Sequence, residues 1–158
     1  YKRQVAKTPD DRAALRDVIR EGHPRFFLGS DSAPHPIASK YPSPASRNNS
    51  TAEFVHQCGC AAGVYTSAVL LPLCATLLES FGALDKLAGY VSVHGRRFYN
   101  EPAEPGRVVK LRRTRPDDKP VPASYVHASC LGKDDGDPTK LQVSPFYGGQ
   151  RLAWAIVE

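Results

Sequence analysis

A helix that leads through a short turn into a buried strand is the feature that most constrains the fold of this chain of 158 residues. Thr8 is a favoured N-cap residue and Pro9 suits the first helical position, which predicts a helix that runs to about Glu21 and ends at Gly22. The run FFLG at residues 26–29 is continuously apolar, as in a strand that a parallel sheet covers on both faces. Helix, turn and buried strand in this order predict an α/β fold.

The middle of the chain alternates between a long loop and helices. Residues 36–57 are rich in Pro, Ser and Asn, which predicts a loop, and a loop of that length in a folded domain is usually functional or disordered. Residues 64–81 then predict a mostly buried helix that is bent or broken near Pro72. Residues 84–99 predict a pair of shorter helices.

Beyond Pro105 the pattern becomes typical of β-structure. Three segments have strand-like alternation or apolar aromatic character, and turn-rich spacers separate them: residues 107–113, 124–130 and 152–157. We therefore expect a small β-rich C-terminal tail.

Composition excludes several classes of protein. The longest apolar run, residues 67–78, is too short for a membrane span and contains Pro72, so we expect no membrane partner. The N-terminal residues lack the apolar core of a secretory signal, which favours a cytoplasmic location. The four cysteines are too few and too irregular for a disulfide scaffold. Cys58 and Cys60 are separated by one residue where zinc knuckles usually have two, which argues against a structural zinc site.

The net charge of +5 raises the question of nucleic acid. The basic run KLRRTR at residues 110–115 has no interleaved aromatic residues, so a solvated strand and turn explains it better than a binding surface. We expect no nucleic-acid partner. A basic nucleic-acid-binding module nevertheless stays open as an alternative function.

Asp31 is the residue best placed for chemistry. It follows the predicted strand, and enzymes with parallel sheets hold catalytic groups at the carboxyl ends of their strands. His35 follows four residues later, beyond Pro34, so both side chains can face one pocket. The alternative is a structural role for Asp31, since Ser-Asp-Ser at residues 30–32 also suits a turn or a cap.

The run FFLGSDSAPH at residues 26–35 resembles the last barrel strand of dihydroorotases, metal-dependent amidohydrolases that interconvert N-carbamoyl-aspartate and dihydroorotate. Further segments are similar to the family in the same order: CGCAAG at 58–63, VSVHG at 91–95 with Phe98 and Tyr99, SPF at 144–146, and LAWAI at 152–156. Together these blocks cover most of the chain. Two features depart from the pattern: His94 stands where the family often has Asn, and residues 36–57 are longer than in bacterial members, as in fungal ones.

The resemblance implies a fold. The chain would be the C-terminal part of a (β/α)8 TIM-type barrel with a small β-rich tail. Residues 1–100 would belong to the barrel, with the last strand at about 26–31, an active-site loop at 34–62 and helices at 63–99. Residues 101–158 would form the tail and pack on the barrel.

The resemblance also implies an active site with two zinc ions. Asp31 would bind one zinc ion and exchange a proton with the bridging hydroxide and the amide nitrogen, which is general acid–base catalysis on a metal-activated water. His35 would pair with the carboxylate of the small-molecule substrate, and the backbone of Ala61 would contact the same ligand.

The histidine content indicates that this site is incomplete in the chain. The family's metal centre takes four histidines, two of them from a His-x-His pair, and a carboxylated lysine, whereas this chain has five scattered histidines and no His-x-His. A barrel of this type takes about 250 residues. We therefore expect a fragment that is inactive alone and needs the missing N-terminal half of the barrel, in a complete enzyme that is a homodimer. The alternative is a non-catalytic scaffold of amidohydrolase ancestry.

Overall fold

The computed structural model describes residues 8–41, 61–102, 108–126 and 142–157. Its α-helices are α1 (Pro9–Glu21), α2 (Ile37–Lys40), α3 (Leu70–Ser80) and α4 (His94–Tyr99). Short 3-10 turns cover Ser67–Val69 and Leu84–Lys86, and a π-helical turn covers Gly89–Val93. The strands are β1 (Leu111–Arg113), β2 (Tyr125–Val126), β3 (Gln142–Val143) and β4 (Trp154–Ile156).

The chain divides into two compact units, each built from segments that are distant in sequence. Unit 1 comprises Tyr1–Gly29, Leu71–Arg113 and Ala153–Glu158, and unit 2 comprises Ser30–Leu70 and Thr114–Leu152. The predicted boundary near residue 100 divides the chain once, whereas the chain passes between these two units four times. Within the described ranges, no helix is both long enough and apolar enough to cross a membrane.

Helix α1 has the boundaries that the sequence predicts. The Thr8 hydroxyl accepts the Asp11 backbone N–H at 3.1 Å, and the Asp11 carboxylate accepts the Thr8 backbone N–H at 2.9 Å. These two bonds form a capping box at the start of the helix. At the other end Gly22 takes the left-handed conformation with φ 75° and donates its N–H to the Ile19 carbonyl. The prediction for this helix is confirmed.

Residues 26–31 form no strand, in contrast to the prediction. The Leu28 N–H donates to the Tyr90 carbonyl at 2.9 Å, so its partner is a residue of the π-helical turn rather than a neighbouring strand. Phe26 is 40% exposed, which also differs from a strand covered on both faces. Parallel pairing among the described residues is limited to the isolated bridges Ser32–Val64 and Tyr65–Pro145. The described residues therefore contain no barrel.

The buried part of unit 1 is centred on α3. Pro72, Cys74, Ala75 and Leu78 are buried on this helix. Pro72 is the third residue of α3, where a backbone N–H has no intrahelical partner, so the proline is tolerated without breaking the helix. The predicted helix over 64–81 is thus shorter and begins after a 3-10 turn. Burial raises the pKa of the Cys74 thiol, which makes this cysteine an inert packing group.

Two short antiparallel sheets account for the β-structure. In unit 1, β1 pairs with β4 so that Leu111 lies opposite Ile156 and Arg113 opposite Trp154. In unit 2, β2 pairs with β3, and Tyr125 lies opposite Val143. Each of the three predicted β-segments contains one of these short strands.

Glu79 joins α3 to the sheet of unit 1. Its carboxylate forms a two-pronged ion pair with the Arg113 guanidinium and accepts the Trp154 indole N–H at 3.1 Å. The Arg113 guanidinium carbon also lies 4.8 Å from the centre of the Trp154 ring. One carboxylate therefore connects a helix residue to both strands of the β1–β4 pair.

Substitution Glu79→Ala is expected to lower the free energy of unfolding by about 1–2 kcal/mol, because the indole N–H and the guanidinium lose their shared acceptor. The Arg113 side chain is 63% exposed, so solvent screening keeps the contribution of the ion pair to this loss small. Urea unfolding followed by circular dichroism measures the change. Glu101→Ala removes an exposed glutamate of the same unit and should leave stability almost unchanged. Equal midpoints for the two variants would contradict this role of Glu79.

Candidate functional site

Asp31 lies in a backbone conformation that side chains rarely adopt. Its φ is 41°, in the left-handed region, and its side chain is exposed. Aspartate and asparagine tolerate this region better than other residues with a side chain, and such strained positions cluster at functional sites. Asp31 is thus exposed to solvent and has a left-handed backbone conformation.

Ser32 secures the backbone next to Asp31. The Ser32 hydroxyl oxygen accepts the backbone N–H groups of Thr66 and Ser67, each at 3.0 Å. It thereby satisfies donors at the start of the 3-10 turn Ser67–Val69, as an N-cap residue does, although it lies more than thirty residues away in sequence. The Ala33 N–H adds a bond of 2.9 Å to the Val64 carbonyl. The loop that carries Asp31 is therefore fastened to residues 64–67.

Gly63 brings a second segment of unit 2 against His35. Its φ is 105°, and a Cβ atom at this position would lie 2.5 Å from the Ala33 Cβ and 3.7 Å from the His35 Nε2. A separation of 2.5 Å is far inside van der Waals contact, so only glycine fits here. The half-buried imidazole of His35 thus borders the backbone of Gly63.

Both backbone polar groups of Ala61 have partners within the protein. The Ala61 N–H donates to the Ser39 carbonyl at 2.9 Å, and the Ala61 carbonyl accepts from the Lys40 ammonium at 2.9 Å. The same ammonium donates to the Gly63 carbonyl. These bonds join the end of α2 to residues 61–63. The predicted contact between the Ala61 backbone and a ligand stays a prediction, and in this structure a ligand would share or replace these bonds.

Three of the residues that shape the site could not be singled out from the sequence: Ser32, Lys40 and Gly63. Their partners lie far along the chain, so no local pattern reports them. The sequence signals that were available are the Ser-Asp-Ser turn at residues 30–32 and the glycine that ends the CGCAAG segment.

The described residues do not fit a binuclear zinc site. Within residues 8–41, 61–102, 108–126 and 142–157, no three His, Cys, Asp or Glu side chains come close enough to share a metal ion. Asp31 is the only residue predicted as a metal ligand. Cys58 and Cys60 lie outside the described residues.

Comparison with known proteins gives one consistent family. No family model matches the chain. A dihydroorotase from Mycosarcoma maydis is 54% identical over 175 residues, covering 97% of this chain and 44% of the relative. A dihydroorotase from Alkalilimnicola ehrlichii is 37% identical over 153 residues, covering 97% of this chain and 36% of the relative.

Solved structures agree with this relationship. Saccharomyces cerevisiae dihydroorotase, solved in complex with 5-fluoroorotic acid, matches with a TM-score of 0.65 and 30% identity over 97% of this chain and 35% of its own length. Campylobacter jejuni dihydroorotase matches with a TM-score of 0.64 and 25% identity over 98% of this chain and 36% of its own. The chain spans less than half the length of the relatives it matches, and the matched region is their C-terminal part. The chain therefore belongs to the dihydroorotase family and corresponds to the C-terminal portion of its members.

Proposed function

We propose that the chain is the C-terminal part of a dihydroorotase, and that the complete protein interconverts dihydroorotate and N-carbamoyl-aspartate in pyrimidine biosynthesis. The single observation that carries this proposal is the 54% identity to a fungal dihydroorotase across 97% of the chain. In the complete enzyme, residues 1–100 belong to the C-terminal part of a (β/α)8 barrel, and residues 101–158 pack on it. The complete protein is cytoplasmic and acts as a homodimer.

Asp31 is proposed as the general acid–base group. Ring opening adds water to the amide carbon and breaks its bond to the ring nitrogen, which then needs a proton; ring closure removes that proton again. An exposed carboxyl group can both give and take up this proton, which suits both directions. The fastening of Ser32 to Thr66 and Ser67 supports this role, because it limits the movement of the carboxylate next to it.

His35 is proposed to pair with the carboxylate of the substrate. An imidazole N–H is a good partner for a carboxylate, and charge-assisted hydrogen bonds are stronger than neutral ones. Because residue 63 is a glycine, it places no side chain against the imidazole. Ala61, two residues earlier, is proposed to contact the same ligand through its backbone.

The expectation of zinc in the complete enzyme rests only on the family resemblance. The family resemblance assigns Asp31 to a site with two zinc ions, and the described residues offer no other ligands that would complete such a site. The part of the mechanism that belongs to this chain is proton transfer by Asp31 and recognition of the carboxylate by His35. The remaining ligands belong to the missing N-terminal half of the barrel.

Activity measurements on two forms of the protein test the proposal. The complete protein that contains this sequence is expected to convert dihydroorotate, and the purified 158-residue chain is expected not to. Binding of dihydroorotate without turnover by the complete protein would favour a non-catalytic scaffold. Turnover by the 158-residue chain, abolished by Asp31→Ala, would overturn the proposal that the active site needs residues from outside it.

A further inference from the structure

Lys40 connects the last turn of α2 to the segment that borders His35. Its ammonium group is partly buried and donates to the carbonyl oxygens of Ala61, at 2.9 Å, and of Gly63. The neighbouring Ser39 carbonyl accepts the Ala61 N–H at 2.9 Å. The position of residues 61–63 relative to α2 is therefore determined by three hydrogen bonds, of which Lys40 makes two.

We propose that Lys40 is a positioning residue for substrate binding, an inference that rests on the proposed function. The side chain acts through Ala61 and Gly63: by holding both carbonyls toward α2, it sets the backbone of residues 61–63 against His35. The Gly63 backbone packs closely on this side, since a Cβ at residue 63 would lie 2.5 Å from the Ala33 Cβ and 3.7 Å from the His35 Nε2. A shift of this segment moves the surface that borders the His35 imidazole.

The charge of Lys40 adds to this role. No carboxylate of the described residues forms an ion pair with its ammonium group. A partly buried cation is screened less than one at the surface, so it favours an anion bound nearby. Dihydroorotate and N-carbamoyl-aspartate are both carboxylates. Lys40 thus supports the binding of an anionic substrate through its charge and through the backbone that it holds.

This role differs from a contribution to the core. The buried apolar residues of unit 2 among the described ranges are Val69, Pro145 and Leu152, and none of them is a hydrogen-bond partner of Lys40. Replacement of Lys40 leaves two carbonyl oxygens without their charged donor, at the edge of the proposed substrate site. We therefore expect the replacement to weaken the binding of the substrate.

Steady-state kinetics of the complete protein test the inference with Lys40→Met and Lys40→Arg. For Lys40→Met we expect KM for dihydroorotate to rise about tenfold to a hundredfold, the range that corresponds to a lost charge-assisted hydrogen bond, with kcat within about threefold of wild type. Lys40→Arg keeps the charge and several donors, so it should recover most of the affinity. Lys119→Met removes an exposed lysine of the same unit and should leave KM unchanged.

An unchanged KM in Lys40→Met, or an equal loss of kcat with no recovery in Lys40→Arg, would overturn the inference. Circular dichroism establishes that each variant is folded, and Lys40→Gln, which keeps one donor group, replaces any variant that is not. If the wild-type protein binds dihydroorotate without converting it, the proposed activity fails, and the Kd from calorimetry takes the place of KM. A wild-type protein that neither binds nor converts dihydroorotate overturns both proposals.

Discussion

Replacing Asp31 by asparagine in the complete protein is expected to lower kcat for dihydroorotate by about a hundredfold to ten-thousandfold, the usual contribution of a positioned acid–base group. Asparagine has nearly the same shape as aspartate and adopts the left-handed backbone region at least as readily, so the φ of 41° costs no more in the variant. The amide cannot take up or release the proton. Loss of activity is therefore attributable to the carboxylate rather than to the fold.

A matched control is available in the same unit. Asp117 is an exposed aspartate, and Asp117→Asn removes the same charge at a residue that makes none of the described contacts of the proposed site. Its kcat and KM should equal those of wild type. If Asp31→Asn retains more than about a tenth of the wild-type kcat, the carboxylate is not the acid–base group, and the capping or turn role of Asp31 becomes the better explanation.

Substitution Gly63→Ala has the largest expected effect on stability. It combines a φ of 105°, which alanine adopts only under strain, with a Cβ that would lie 2.5 Å from the Ala33 Cβ. Overpacking typically costs about 1–3 kcal/mol and a disfavoured backbone region about the same again, so we expect a loss of about 3 kcal/mol in the free energy of unfolding. Because Ala33 and Gly63 both border the site, the affinity for dihydroorotate should fall as well.

Two other glycines distinguish the effect of backbone strain from the effect of the collision with Ala33. Gly149 has a φ of 76° and open space around its Cα, so Gly149→Ala carries the backbone strain without the collision and should cost about 1–2 kcal/mol. Gly29 has no positive φ and no atom close to the position of an added Cβ. Gly29→Ala should therefore change the free energy of unfolding by about 0.5 kcal/mol or less. Denaturant titration of the three variants measures the order. If Gly63→Ala loses no more free energy of unfolding than Gly149→Ala, the collision with Ala33 is relieved without cost and the expectation is wrong.

The parts of the fold that local chemistry determines could be predicted. Helix α1 depends on Thr8 at its start and Gly22 at its end, and both act on groups within four or five residues of themselves. Residues 26–31 are different, because a strand exists only if another backbone lies beside it. The apolar run is consistent with a strand, but the structure pairs the Leu28 N–H with a helical turn instead.

The site shows the same contrast. Asp31 and His35 could be proposed because they lie within one short motif, which the family resemblance then connected with Ala61. The residues that hold this motif in place could not be predicted from the sequence. The Lys40 ammonium contacts carbonyls 21 and 23 residues further along the chain, and the Ser32 hydroxyl contacts amides 34 and 35 residues away. No periodicity or spacing in a single sequence reports such pairs.

The bonds at Ser39 and Lys40 also bear on how the family can vary in length. They join residues 39 and 40 to residues 61 and 63, which lie about twenty residues further along the chain. The entropy of closing a loop grows slowly, by about 0.6 kcal/mol for each doubling of its length. Insertions and deletions between these anchors can therefore accumulate during evolution without displacing Ala61 or Gly63.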